Sequence, residues 1–202
     1  MGKERQRIPR QVRDEVEREF NHRCAVCGAD RPQLHHIDKN PVNNDPKNLI
    51  PLCPNCHLTD QHNPTEGLDP GILRLFRLYK DPAILTPQFH PLYMRLRFLE
   101  GISNDSDAKR LWGQALELVD FVAALNMGAF YAKEMNKLVR MPPGGGCLDM
   151  GDPESERRYR LAQQERAKKY LEQLRGARDR LYVLAVELLR YQEWKLSQGQ
   201  RT

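Results

Sequence analysis

Cys24-Ala-Val-Cys27 and Cys53-Pro-Asn-Cys56 put four thiols into two tight turns, one on each side of Leu34-His35-His36-Ile37-Asp38, and the second turn runs directly into His57. Two such turns deliver four thiolates tetrahedrally to one zinc at about 2.3 Å per bond, a closed structural site. The redox alternative needs a single Cys-x-x-Cys at the start of a helix, which fits this pattern poorly. The imidazoles form a second set. His35 and His36 are neighbours, so on a strand their side chains leave on opposite faces and divide two roles between them. One can hold a second metal ion while the other takes a proton from water, as metal-assisted hydrolysis requires. Asn48 and His57 lie close enough in sequence to belong to the same site.

Short elements must position these groups. Ile8, Val12, Val16 and Phe20 recur every four residues among charged ones, which predicts a first helix that packs its apolar stripe on the zinc segment. Turn residues from Gly28 to Pro51 punctuate two apolar runs, Leu34 to Ile37 and Leu49 to Leu52, expected as two short strands. A short helix should start at the second cysteine turn and run toward Pro64. So short a segment builds little apolar core, and metal ligation supplies its folding energy instead.

The turn-rich stretch at 63–70 is expected to separate a first domain, residues 1–66, from a helical region, residues 67–202. Ile72, Leu75, Phe76 and Tyr79 make one helical face, and Leu92, Leu96 and Leu99 suggest a short helix after Pro91. Asp105 or Asp107 can cap a helix through Leu111, Ala115, Leu118, Val122 and Leu125, extended past Gly128 to Leu138. A Pro/Gly loop then reverses the chain into a helix from about Glu154 to Trp194, striped by Tyr170, Leu174, Ala177, Leu181, Leu184 and Leu188. The fold class is therefore α+β: a small zinc-stabilised module and an all-α region with a long helical hairpin. Spacing does not choose between packing within the chain and a dimer seam.

The formal charge of +5 over 202 residues is patterned. Lys3, Arg5, Arg7, Arg10 and Arg13 crowd one end, and Arg157, Arg158, Arg160, Arg166, Lys168 and Lys169 crowd a later helix. No apolar run reaches the roughly 18 residues of a membrane span, and there is no signal-peptide core, so a cytoplasmic protein is expected. Reduced thiols in that compartment favour metal over disulfides. Cys147, in the Gly-rich loop, is read as an unpaired thiol without a role.

Leu34-His35-His36-Ile37-Asp38, followed by Asn43-Asn44-Asp45-Pro46-Lys47-Asn48-Leu49-Ile50-Pro51-Leu52-Cys53-Pro54-Asn55-Cys56-His57, resembles an HNH endonuclease of the ββα-metal type over roughly residues 8–62. The resemblance implies that His36 is the general base and that His35 and His57 hold one catalytic divalent ion. It implies that Asn48 braces the hairpin and orients the base, and that Cys24, Cys27, Cys53 and Cys56 hold a separate structural Zn2+. Many members carry aspartate at the position of His35, which leaves Mg2+, Mn2+, Ni2+ and Zn2+ all open for the catalytic ion. Asp60, Gln61 or His62 is an open choice for a further ligand, and Asp38 is expected to serve the turn or to support the ligands from behind rather than to ligate.

The implied activity is metal-dependent hydrolysis of DNA phosphodiester bonds. By association with the family, a restriction or anti-phage effector is expected; the helical region, whose long hairpin carries no catalytic cluster, is expected to form a homodimer or to dock on a larger partner rather than to read DNA directly. The alternative is a non-catalytic zinc module that grips nucleic acid or protein, although such a module has no use for His35, His36, Asn48 and His57 together.

Overall fold

Pro9 stands at the N-terminal boundary of the first helix, α1 (Arg10–Glu19), where its missing N–H is no loss. The computed structural model describes residues 7–58, 69–143 and 152–199, with side chains as far as Gln192. Val16 of α1 is wholly buried, while Val12 and Phe20 are half-buried, so the predicted stripe is real but shallow. The strands are β1 (Gln33–His36) and β2 (Leu49–Leu52), antiparallel, with His35 opposite Ile50 and His36 opposite Leu49. A single 3-10 turn, Pro46–Asn48, feeds β2, and Asp45 caps it by accepting from the Lys47 N–H. The helix α2 (Pro54–Leu58) begins inside the second cysteine turn. Every residue of β2 is buried, because α1 and α2 both pack on it.

The chain divides into two compact units, residues 1–87 and 88–202. The boundary expected at 66/67 lies outside the described residues, but α3 (Pro70–Tyr79), just beyond it, belongs to the first unit rather than to the helical region. Arg77 supplies the physical reason. It is 7% exposed, donates Nε and Nη2 to the Pro46 carbonyl at 3.1 and 2.8 Å, and grips the Glu19 carboxylate with Nη1 and Nη2 at 3.0 and 2.8 Å. One guanidinium thus ties α1 and α3 to the turn that ends in Asn48.

The hydrogen bonds from Arg77, chief among the causes, hold the Glu19 carboxyl below its ordinary value of 4.5 against the opposing effect of burial. A lowered folded pKa stabilises the fold above the unfolded value and is lost as pH falls through the folded one. Arg77→Met should cost about 2 kcal/mol. In urea titrations the difference from wild type should hold from pH 7 to pH 5 and narrow only below about 4.5.

Among the described residues the second unit is helical: α4 (Phe89–Leu96), α5 (Ala108–Ala123), α6 (Gly128–Val139) and α7 (Pro153–Gly199). α4 starts before Pro91, not after it, since a first-turn proline gives up only an N–H that has no partner within the helix. Asp107, rather than Asp105, caps α5, with Oδ1 accepting from Lys109 and Arg110. The helix expected to continue past Gly128 breaks there. Met127 turns left-handed at φ 57°, α6 doubles back against α5, and a Cβ on Gly128 would lie 1.7 Å from the Val122 carbonyl oxygen. Only glycine permits that approach, so Gly128→Ala should cost about 3 kcal/mol in chemical denaturation.

The stripe of α7 is as the sequence predicts: Tyr170, Leu174, Ala177, Leu181, Leu184 and Leu188 are all buried. Tyr170 donates its hydroxyl to Val139 O at 3.0 Å, and Gln173 Nε2 donates to Leu138 O and Arg140 O, satisfying the last carbonyls of α6. From residue 153 to residue 169 no side chain is buried. Arg158, Arg160 and Lys169 there pair with Asp152, Glu156 and Glu165, so much of that cationic face is neutralised by its own neighbours. Cys147 lies outside the described residues, and among the described residues no helix is long and apolar enough to cross a membrane.

Candidate functional site

The four cysteines converge from two turns. The Cys24 turn closes through Gly28, whose N–H donates to Cys24 O at 2.9 Å and whose φ of 73° favours glycine. The Ala25 N–H donates to Pro51 O at 2.8 Å and docks this turn on β2, while Cys53 and Cys56 open α2. All four sulfurs lie within 4.8 Å of one another, and Cys27 Sγ is 3.6 Å from Cys53 Sγ. Sulfurs bound tetrahedrally at 2.3 Å stand about 3.8 Å apart, so the cluster suits a structural metal ion such as zinc.

Cys24, Cys53 and Cys56 are buried and Cys27 is exposed. Burial, followed by the neighbouring sulfurs, pushes the Cys56 thiol far up. Burial also raises the Cys24 thiol, but N–H donors from Cys27, Cys53 and Val26 outweigh it and bring Cys24 down to about 7. One thiolate forms readily in such a cluster, and four require a cation.

The imidazoles stand on the neighbouring face. β1 presents His35 toward α2, where its Nδ1 lies 2.9 Å from His57 Nε2, the rings edge to face with centroids 4.8 Å apart. Two nitrogen lone pairs at that distance repel unless a proton or a metal ion lies between them. Nitrogens bound side by side at about 2.1 Å to one ion are about 3.0–3.4 Å apart, so the pair fits two ligand positions on one divalent ion. Burial first, then the charges of His57, His36 and Lys39, hold His35 down to about 4, leaving its ring neutral and free to ligate. Asp60, Gln61 and His62, the open choices for a further ligand, lie outside the described residues.

His36, the last residue of β1, reaches Asn44 Oδ1 with Nε2 at 3.2 Å. A ring that donates from Nε2 keeps Nδ1 as its acceptor. The residue that touches the ring is Asn44, which the sequence presents only as turn punctuation. Asn48 acts one step away: 6% exposed, it donates Nδ2 to Asp38 Oδ1 at 2.9 Å and to Asn43 O at 3.0 Å, and its Oδ1 accepts the Asp38 N–H at 3.1 Å. Asp38 is thereby occupied within the loop. Burial raises its carboxyl, but hydrogen bonds from Asn43, Asn48 and the Asn40 N–H leave it below the usual range.

An open cavity of about 220 Å3 lies beside these rings, lined by His35, His36, His57, Lys39, Gln33 and Pro41 among others. A two-stranded hairpin, a short following helix and a four-cysteine cluster are together compatible with the ββα-metal arrangement. Compared with known protein families, with curated proteins and with solved structures, the chain finds no match in any of the three.

Proposed function

We propose that the first unit is a metal-dependent phosphodiester hydrolase acting on DNA, with the cysteine cluster holding its structural zinc. The observation that carries this reading is the 2.9 Å approach of His35 Nδ1 and His57 Nε2 beside His36, whose ring is oriented by a different partner and left out of that pair. His35 and His57 would hold the catalytic ion, which when bound supplies charge to the scissile phosphate and to the leaving oxygen.

The remaining steps belong to the protein. His36 accepts a proton at Nδ1 from the attacking water, and Asn44 Oδ1 accepts the Nε2–H of the imidazolium that results. Asn48 holds the loop that carries Asn44 by binding Asp38 and Asn43, so its influence on the base is indirect. The second unit, with the solvated first half of α7, is assigned to dimerisation or to docking on a partner.

Incubation of the full chain with plasmid DNA under Mg2+, Mn2+, Ni2+ or Zn2+ tests the reading. Cleavage under at least one ion and none under EDTA is expected. Intact but retarded DNA under every condition would instead make the module a binder.

A further inference from the structure

Lys39 follows β1 with a left-handed backbone, φ 57°, and lines the cavity shared by His35, His36 and His57. A side chain with a Cβ is disfavoured in that conformation, which glycine and asparagine adopt more readily. The conformation is nevertheless fixed from both sides. The Lys39 N–H donates to His36 O at 3.0 Å, and the Asn40 N–H donates to Asp38 Oδ1 at 2.8 Å. Asp38 is itself held by Asn48 Nδ2 and by Asn43 Nδ2, the latter at 2.7 Å. A buried asparagine and a carboxylate therefore spend their hydrogen bonds on a turn whose outermost residue is an exposed lysine. No carboxylate among the described residues forms an ion pair with its ammonium, and Asp38, the nearest acid in sequence, is engaged by the loop.

We propose that Lys39 is the substrate-contacting cation of this site, binding a nonbridging oxygen of the DNA phosphodiester beside the histidines. The Asn48–Asp38–Asn40 hydrogen bonds are what hold its turn in place. The catalytic part of the proposal rests on the hydrolase reading. The Nζ ammonium offsets charge that builds on the phosphate oxygens during attack, and it displaces one condensed counterion from the DNA whether or not the bond is cut.

Two arms separate the two readings. In the first, zinc-loaded full-length protein carrying His36→Ala binds a short duplex across a salt series, with and without Lys39→Gly. Lys39→Gly should make the negative slope of log K against log salt shallower by about one. In the second, Lys39→Gly in the otherwise unaltered chain should cut cleavage on the order of 10- to 100-fold, with Lys39→Arg restoring most of it.

Melting temperature and zinc content should not fall in Lys39→Gly or Lys39→Asn, since both residues accept the left-handed backbone. An unchanged salt slope overturns the proposal, as does a drop in melting temperature common to both variants. If the wild-type chain never cleaves but the slope still becomes shallower in Lys39→Gly, the phosphate contact stands and the hydrolase reading fails.

Discussion

Removing zinc from the purified protein is expected to unfold the hairpin of the first unit while leaving the helices of the second intact. Cys24, Cys53 and Cys56 are 4–5% exposed, and their sulfurs lie with that of Cys27 within 4.8 Å of one another, an arrangement that a bound cation holds together. Ligation free energies for four-coordinate zinc in small domains are on the order of 10 kcal/mol, more than the apolar burial of two four-residue strands provides. β2 suffers most directly, because the Cys24 turn docks on Pro51 O and α2 grows out of Cys53. The second unit closes its own core through Leu111, Leu118, Tyr170, Leu181 and Leu188 and owes nothing to the thiols. Calorimetry with a zinc chelator should therefore remove one transition and keep the other. Cys53→Ser should behave like chelated wild type. A metal-free protein that keeps both transitions would show that the cluster is not the fold's foundation.

The parts legible in the sequence are those with a local physical signature. Cysteine spacing announces the sulfur cluster, alternating short apolar runs announce the hairpin, and the stripe from Tyr170 to Leu188 announces the buried half of α7. What escapes is decided by contacts between distant residues. Arg77 is not among the apolar residues that mark its helix, and nothing near it in sequence reveals that Glu19 and Pro46 O await it. Gly128 reads as a weak spot in one helix, whereas the close approach of Val122 O makes it the join between two.

The site shows the same division. His35, His36 and His57 are conspicuous by residue type, but which nitrogen meets which partner is set by the register of β1 on β2 and by the loop from Asp38 to Asp45. The choice of Asn44 over Asn48 as the ring's partner depends on that loop's path, which turn residues alone do not encode.

His36→Ala should reduce DNA cleavage by about 10²- to 10⁴-fold, equivalent to about 3–5 kcal/mol of the activation barrier, the contribution expected of a positioned general base. The loss should fall on kcat with KM nearly unchanged, as expected of a ring that would act on the attacking water rather than hold the DNA. Zinc content and the melting transition of the first unit should persist. His36 is only half-buried, and its partner Asn44 is loop-borne.

Asn44→Ala supplies the sharper comparison. It leaves the ring present but unoriented, so its loss should be smaller than that of His36→Ala, and the two together should cost little more than His36→Ala alone, as expected for residues acting as a unit. His57→Ala should differ from both by changing the concentration of divalent ion needed for activity, since its Nε2 faces His35 Nδ1. A folded, zinc-loaded His36→Ala protein that cut at the wild-type rate would remove the base from the mechanism and leave His35 and His57 without the partner on which the hydrolase reading depends.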